Sequence, residues 1–216
     1  MTVEENVKTI LKELGNTKLV CVTKTVDPER INESIRSGAT TIGESKVKEY
    51  EEKRDELLPC EKHFIGHLQS GKVKKAVEFF DVIQSVDSLK LLQKIDKKAR
   101  ERDKVQQVFL QVNIGNEPQK FGFEENDISK LLTDIHELRN VHVQGLMCIP
   151  PFDTPAETRT YFRRMKSLFD ELQQKEHDSI DIHELSMGMS NDYRIAMEEG
   201  ATMVRIGSSI FGDRRY

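Results

Sequence analysis

Three short stretches of this chain carry residue types that do chemistry when a fold brings them together. Near the start, the apolar run LVCVTKT ends in a lysine, Lys24. Near the end, MVRIGSS sets Arg205 two residues before Gly207-Ser208, and upstream of it MGMSND offers Ser190 and Asn191. A lysine amine can attack a carbonyl and hold it as an imine. Glycine lets backbone N–H groups approach an anion closely, and the start of a helix favours negative charge. Each stretch also has a plainer reading. Lys24 could be an amphipathic side chain reaching water at a strand tip. Ser190 or Asn191 could simply cap a helix, and Gly207 could simply make a turn.

These residues matter together only if one fold points them into one space. Side chains alternate along a strand, so in Leu19–Lys24 the interior face would be Val20, Val22 and Lys24. In the eighth strand, Thr202–Ile206, the same rule puts Met203, Arg205 and the following Gly207 on one face. Between these two ends, apolar runs of strand type occur at Ala39–Gly43, His63–Gly66, Asp81–Val86, Val108–Ile114, Val141–Met147 and Ile182–Met187. Stripes of helical spacing separate them, such as Ile128, Leu131, Leu132, Ile135 and Leu138, and the long run through Tyr161, Met165, Leu168, Phe169 and Leu172. A helix with Val3, Val7, Ile10, Leu11 and Leu14 precedes the first strand, and it is short for covering a barrel floor. Strict alternation implies a parallel sheet with crossover helices. About eight such units in 216 residues predict an α/β fold, a single closed (β/α)8 barrel forming one domain over 1–216. An open doubly wound sheet fits less well, because no GxGxxG follows the first strand and no break occurs midway.

In such a barrel the loops after the strands form the working mouth. They supply Lys24, the Gly43-Glu44-Ser45 corner, His67 of GHLQS, Asp87, Asn113, Met187, the MGMSND segment and the RIGSS segment. The loops after strands seven and eight are where barrels often bind phosphate. Gly207 serves an anion only if it faces the mouth, which puts Arg205 just beneath it, inside the barrel. A buried guanidinium needs a carboxylate or a ligand. Glu184 and Glu199 are the internal candidates for such a carboxylate. A single ligand that meets an amine, an arginine and a phosphate cradle carries an aldehyde, an acceptor ring nitrogen and a phosphate, which describes pyridoxal 5'-phosphate.

Composition narrows the class further. The formal net charge is −4, with Lys and Arg spread along the chain, which argues against a dedicated nucleic-acid or membrane-surface protein. No apolar run approaches the roughly 20 residues of a membrane-spanning helix, and the N-terminus does not have the pattern of a signal peptide. Three widely spaced cysteines, Cys21, Cys60 and Cys148, form no CxxC pair and suit a reducing cytoplasm. Cys21 and Cys148 read as small core residues.

The segments VCVTKT, TIGESKVKEY, HFIGHLQSGKVK, QSVDS, VFLQVNIGNEPQKFGF, GLMCIPP and LSMGMSNDYRIAMEEGATMVRIGSSIFG, in that order, resemble the YggS/PROSC family of pyridoxal phosphate homeostasis proteins. The resemblance runs from about Leu19 to Arg214. It implies a barrel of the alanine racemase N-terminal type without the C-terminal β-domain. It also implies that Lys24 forms the imine, that Ser190, Gly207 and Ser208 hold the phosphate, and that Arg205 faces the pyridine nitrogen. Asn113 and Met187 are implied beside the ring. Ser45 and Gly71 stand where the family usually has Asn, and Ser208 where it usually has Thr, which keeps the hydroxyl.

Binding is expected rather than turnover. An arginine at the pyridine nitrogen keeps that nitrogen unprotonated, so the ring is a poor electron sink. Racemisation needs acid–base groups on both faces of the substrate. Tyr50, Tyr161 and Tyr193 fall in expected helices and Tyr216 is terminal, which leaves His67 as the one mouth base, or as a hydrogen-bonded structural group. The expectation is a cytoplasmic monomer that buffers or delivers the cofactor, with apo forms of cofactor-dependent enzymes as transient partners. The alternatives are a low-activity amino-acid racemase, or a Schiff-base aldolase or isomerase acting on a sugar phosphate.

Overall fold

The computed structural model describes residues 2–128, 130, 131, 135, 137–151, 153–174 and 180–212. Leu132, Arg214 and Tyr216, named above, lie outside them. Eight strands close a parallel barrel in sequence order: β1 Lys18–Val22, β2 Thr41–Glu44, β3 Glu61–Phe64, β4 Val82–Val86, β5 Gln106–Val112, β6 Val141–Cys148, β7 Ile180–Ser186 and β8 Met203–Ile206. The helices that flank it include α1 Val3–Leu14, α2 Pro28–Arg36, α3 Val47–Lys53, α4 Val73–Phe79, α5 Leu89–Arg100, α6 Pro155–Leu172, α7 Tyr193–Glu198 and a final turn, α8, Ser208–Phe211.

Local signals start several of these helices. Thr2 caps α1 in a capping box with Glu5. Asp27 caps α2, with Pro28 in its first turn. Thr154 and Glu157 form a second capping box ahead of α6. The short α1 does not lie under the barrel floor; it packs on the outer wall between α2 and α8. There Val3, Val7, Ile10 and Leu14 are buried.

Two apolar cores follow from strand alternation. One lies between the sheet and its helices, and holds Cys21, Ile42, Phe64, Ile83, Leu110, Leu146, Leu185 and Ile206 among others. The other lies inside the barrel and comprises Val20, Val82, Phe109, Met147 and Met203. Val20 and Met203 therefore face inward, as their spacing from Lys24 and Arg205 requires. The seam between β7 and β8 is the thinnest, with the single registered pair Ser186–Met203. No described helix is long and apolar enough to cross a membrane.

Candidate functional site

β1 ends at Val22, two residues earlier than the apolar run suggests, so Lys24 sits in a turn beyond the strand. The turn is pinned from both sides. The Thr23 hydroxyl donates to Glu44 Oε1 at 2.5 Å, and its backbone N–H donates to the Gly43 carbonyl at 3.0 Å. Thr25 adopts a left-handed φ of 61° and donates its N–H to Glu49 Oε1 at 2.5 Å. From α3, Lys53 Nζ reaches under the turn, donating to the Thr23 carbonyl at 2.9 Å and the Val26 carbonyl at 3.4 Å. It also pairs with Glu44 Oε1 at 2.8 Å and Glu49 Oε1 at 3.1 Å. Burial pushes the Glu44 carboxyl upward, and Lys53 opposes that. Lys24 is thereby presented, half-buried, at the edge of a cleft of about 510 Å³. That volume is typical of small-molecule sites.

On the neighbouring strand β8, paired with Val20 of β1, the same cleft is lined by Arg205, only 3% exposed. Its Nη1 donates to the Ser186 carbonyl at 2.8 Å and the Ser186 hydroxyl at 2.7 Å, and Nη2 donates to the Cys148 carbonyl at 2.7 Å. Among the described residues it makes no ion pair with a carboxylate. The two glutamates considered above are committed elsewhere. Glu184 pairs with Lys18 and accepts from Thr202, and Glu199 pairs with Arg159 and Arg163 on the surface. Burial lowers the affinity of the guanidinium for its proton. Its hydrogen-bonding partners are neutral, and the charge of Asp192, on the same cleft wall, also acts on it.

Next to Arg205, two loops meet. Ser190 does not cap α7, whose N-cap is Asp192 without a side-chain bond. Instead its hydroxyl accepts from the backbone N–H of Gly207 at 3.3 Å and of Ser209 at 3.4 Å, joining the loops after β7 and β8. The approach depends on Gly188, at φ 90°, where a β-carbon would lie 2.5 Å from that of Ala196. Ser190, Asn191, Gly207 and Ser208 all line the cleft. Asp192 shares that wall; its Oδ1 accepts from the Met189 N–H at 2.6 Å, and burial raises its carboxyl.

The structure thus brings Lys24, Ser190, Arg205, Gly207 and Ser208 to one cleft. His67 lies in an adjoining cavity of about 580 Å³ that shares Lys24, Ser45, Ile65, Lys120 and Ile149 with the first. Its Nδ1 is 3.0 Å from Asp87 Oδ2, and its ring stacks on Phe121 at 3.6 Å. Asn113 does not reach the cleft. Its amide donates to the Glu117 carbonyl at 2.9 Å and accepts from the Glu117 N–H at 3.2 Å, closing the turn after β5. Met187 does not reach it either. Ser186 points inward to Arg205, so alternation sends Met187 outward, where it is fully buried in the sheet–helix core.

Reading the sequence missed several lining residues: Ile149, Pro150 and Pro151 beyond β6, Lys120 and Asp153. The PP pair after a strand is a turn signal that could have flagged the first three. The others sit in loops without periodicity.

The family model of the alanine racemase N-terminal domain matches residues 2–215. The pyridoxal phosphate homeostasis protein of Aquifex aeolicus is 43% identical over 202 residues, covering 92% of this chain and 88% of that one. The chain belongs to the pyridoxal phosphate homeostasis protein family. The human pyridoxal phosphate homeostasis protein is 36% identical over 212 residues, covering 92% of this chain and 77% of its own. PipY of Synechococcus elongatus, solved with PLP bound, superposes with a TM-score of 0.89 at 35% identity, covering 98% of this chain and 100% of PipY. An alanine racemase from Clostridium difficile has a TM-score of 0.76 at 18% identity, which shows a shared fold alone; the match covers 57% of that longer chain. In this member of the homeostasis protein family, the cleft that carries Lys24 and Arg205 lies at the C-terminal mouth, where barrels of this type place their working residues.

Proposed function

We propose that this protein binds pyridoxal 5'-phosphate reversibly on Lys24 and acts as a buffer or donor of the cofactor. The observation that carries this reading is the buried Arg205 guanidinium, held by neutral oxygens, in one cleft with a lysine and a hydroxyl-lined junction of two loops. The residues fit the cofactor: Ser190, Gly207 and Ser208 would hold its phosphate, and Arg205 would face its ring nitrogen. The cofactor supplies an aldehyde, which condenses reversibly with an amine. Val22, Ile65 and Ile149 give the cleft apolar lining.

Arg205 can donate but not accept, so a ring nitrogen facing it stays unprotonated. This weakens the ring as an electron sink and favours storage over amino-acid turnover. Among the described residues, the first cleft is lined by no tyrosine and no histidine. His67 stands in the adjoining cavity, paired with Asp87, and we assign it a structural part there. We read the protein as a single barrel domain over 1–216, monomeric and cytoplasmic; three free cysteines suit such a reducing compartment. Apo forms of cofactor-dependent enzymes would be the recipients.

The test is retention of the cofactor through gel filtration. Wild-type protein should elute yellow and Lys24→Ala colourless, with unchanged circular dichroism. Single enantiomers of amino acids incubated with loaded protein should not interconvert faster than with free cofactor. Colour retained by Lys24→Ala, or interconversion that depends on Lys24, would overturn the reading.

A further inference from the structure

Behind Arg205 the barrel axis is not wholly apolar. Four polar side chains from four strands form a line through the interior: His63 of β3, Gln84 of β4, Ser186 of β7 and Arg205 of β8. None is more than 3% exposed. Arg205 Nη1 donates to Ser186 Oγ at 2.7 Å, and Ser186 Oγ donates to Gln84 Oε1 at 2.7 Å. Gln84 Nε2 lies 2.6 Å from His63 Nδ1 and also contacts Met203 Sδ at 3.2 Å. Around the line stand Val82, Phe109 and Met203, with the His63 ring edge-on to Phe109 at 6.2 Å.

The direction of the line follows from its ends. A guanidinium only donates, so Ser186 Oγ accepts from it and sends its own proton to Gln84 Oε1. An amide nitrogen also only donates, so His63 Nδ1 is bare and the ring proton resides on Nε2. That nitrogen has Glu61 Oε1 3.3 Å away. Reversing the amide would leave the Ser186 hydroxyl proton without this acceptor. A buried amide is costly unless its bonds are made, and an apolar residue would fill the same layer without that cost.

We propose that Gln84 is a positioning residue for Arg205. With Ser186 in front and His63 behind, it fixes the guanidinium in one orientation at the cleft wall. The inference rests on the function proposed above only for what the guanidinium meets, the ring nitrogen of the cofactor.

Nuclear magnetic resonance on ligand-free protein, with arginine and histidine labelled in nitrogen, tests it first. In wild type, His63 should carry its proton on Nε2, and the Arg205 guanidinium protons should exchange slowly. Gln84→Met keeps the volume and removes both bonds, so Arg205 exchange should accelerate by about tenfold or more. Gln84→Glu keeps an acceptor for the Ser186 hydroxyl, so exchange should stay near wild type. A residue that only fills space would give the reverse order, because methionine packs better there than a carboxylate. Ser186→Ala removes the middle link and should also accelerate exchange, which keeps the test decisive should Gln84→Glu not fold. After loading with pyridoxal phosphate, the visible absorption band should move in Gln84→Met and hold in Gln84→Glu.

Unaltered exchange in both Gln84→Met and Ser186→Ala, or His63 protonated on Nδ1, overturns the proposal. An absorption band that Gln84→Met leaves in place overturns its bearing on the cofactor. The exchange and tautomer measurements need no cofactor. A missing cofactor adduct on Lys24 would defeat the proposed function and leave the hydrogen-bonded line to be judged by exchange.

Discussion

Among the described residues, two cations are buried at the mouth of this barrel, and they are treated in opposite ways. Lys53, 7% exposed, lies under the Lys24 turn with Glu44 at 2.8 Å, Glu49 at 3.1 Å and the Thr23 carbonyl at 2.9 Å. Arg205, 3% exposed, is held by two carbonyls and a hydroxyl. Burial is alike and net charge is not. The carboxylates around Lys53 close its field, and it borders neither cavity described above. The neutral oxygens around Arg205 satisfy its hydrogen bonds without an ion pair, and Asp192 acts on it only through space, so a ligand in the cleft meets a positive group at low dielectric. One cation is a latch that shapes the Lys24 turn. The other is a binding group.

Substitutions at the two sites should separate these roles. Lys53→Met leaves the buried Glu44 without its cation and should cost about 3–5 kcal/mol in denaturant unfolding. Cofactor bound per folded molecule should change far less. Arg205→Met should do the reverse. Loss of charged hydrogen bonds to the ligand should weaken cofactor binding by about tenfold to a hundredfold, read by spectroscopic titration, with unfolding midpoints moved less than by Lys53→Met. If Arg205→Met proved the more destabilising and left binding intact, the distinction between the two cations would be lost.

Cys148, whose carbonyl accepts from Arg205, sharpens the picture of that wall. Burial pushes its thiol up to about 12, against the pull of Arg205, and pushes Cys21 to about 12 and Cys60 to about 11. The fully buried Cys21 and Cys148 should react with thiol reagents at pH 8 at rates set by unfolding, and half-buried Cys60 faster; rapid labelling of Cys148 in native protein would show that the wall opens.

The smallest effect concerns a half-buried counterpart of the Lys53 cluster, nearer the surface. The Arg159 hydrogen bond, helped by Arg163, holds the Glu199 carboxyl below its ordinary 4.5. The native state thus binds this proton less readily than the unfolded chain does. The resulting stability is present above about pH 4.5 and lost as pH falls through the lowered native value. Glu199→Gln should remove a small increment of stability at neutral pH and little in acid, seen by comparing unfolding midpoints at the two pH values. A loss that persists unchanged in acid would assign the effect to packing.

Alternation and periodicity made much of this molecule legible. They put Val20, Val22, Met203 and Arg205 on the interior face, and the strand count led to a closed barrel. Lys24 and the two terminal loops were readable because their residue types are unusual for the positions they hold. Met187 was misplaced because its strand was extended to it without following the inward face set by Ser186. Asn113 was misplaced because a strand-end amide can turn back onto its own loop. Lys53 was invisible for another reason: Glu49 and Lys53, four apart on a helix, look like an ordinary surface pair. Gln84 and His63 were hidden within short strands, where nothing in the sequence shows that two polar side chains will meet across a barrel.

The central claim is that Lys24 is the attachment point in the cleft that Arg205 lines. Borohydride reduction of cofactor-loaded protein, followed by peptide mass spectrometry, tests it most directly. A pyridoxyl adduct on the peptide containing Lys24, and on no other, is the expected result. Loaded protein whose Lys24 remains unmodified while another lysine carries the adduct would contradict it.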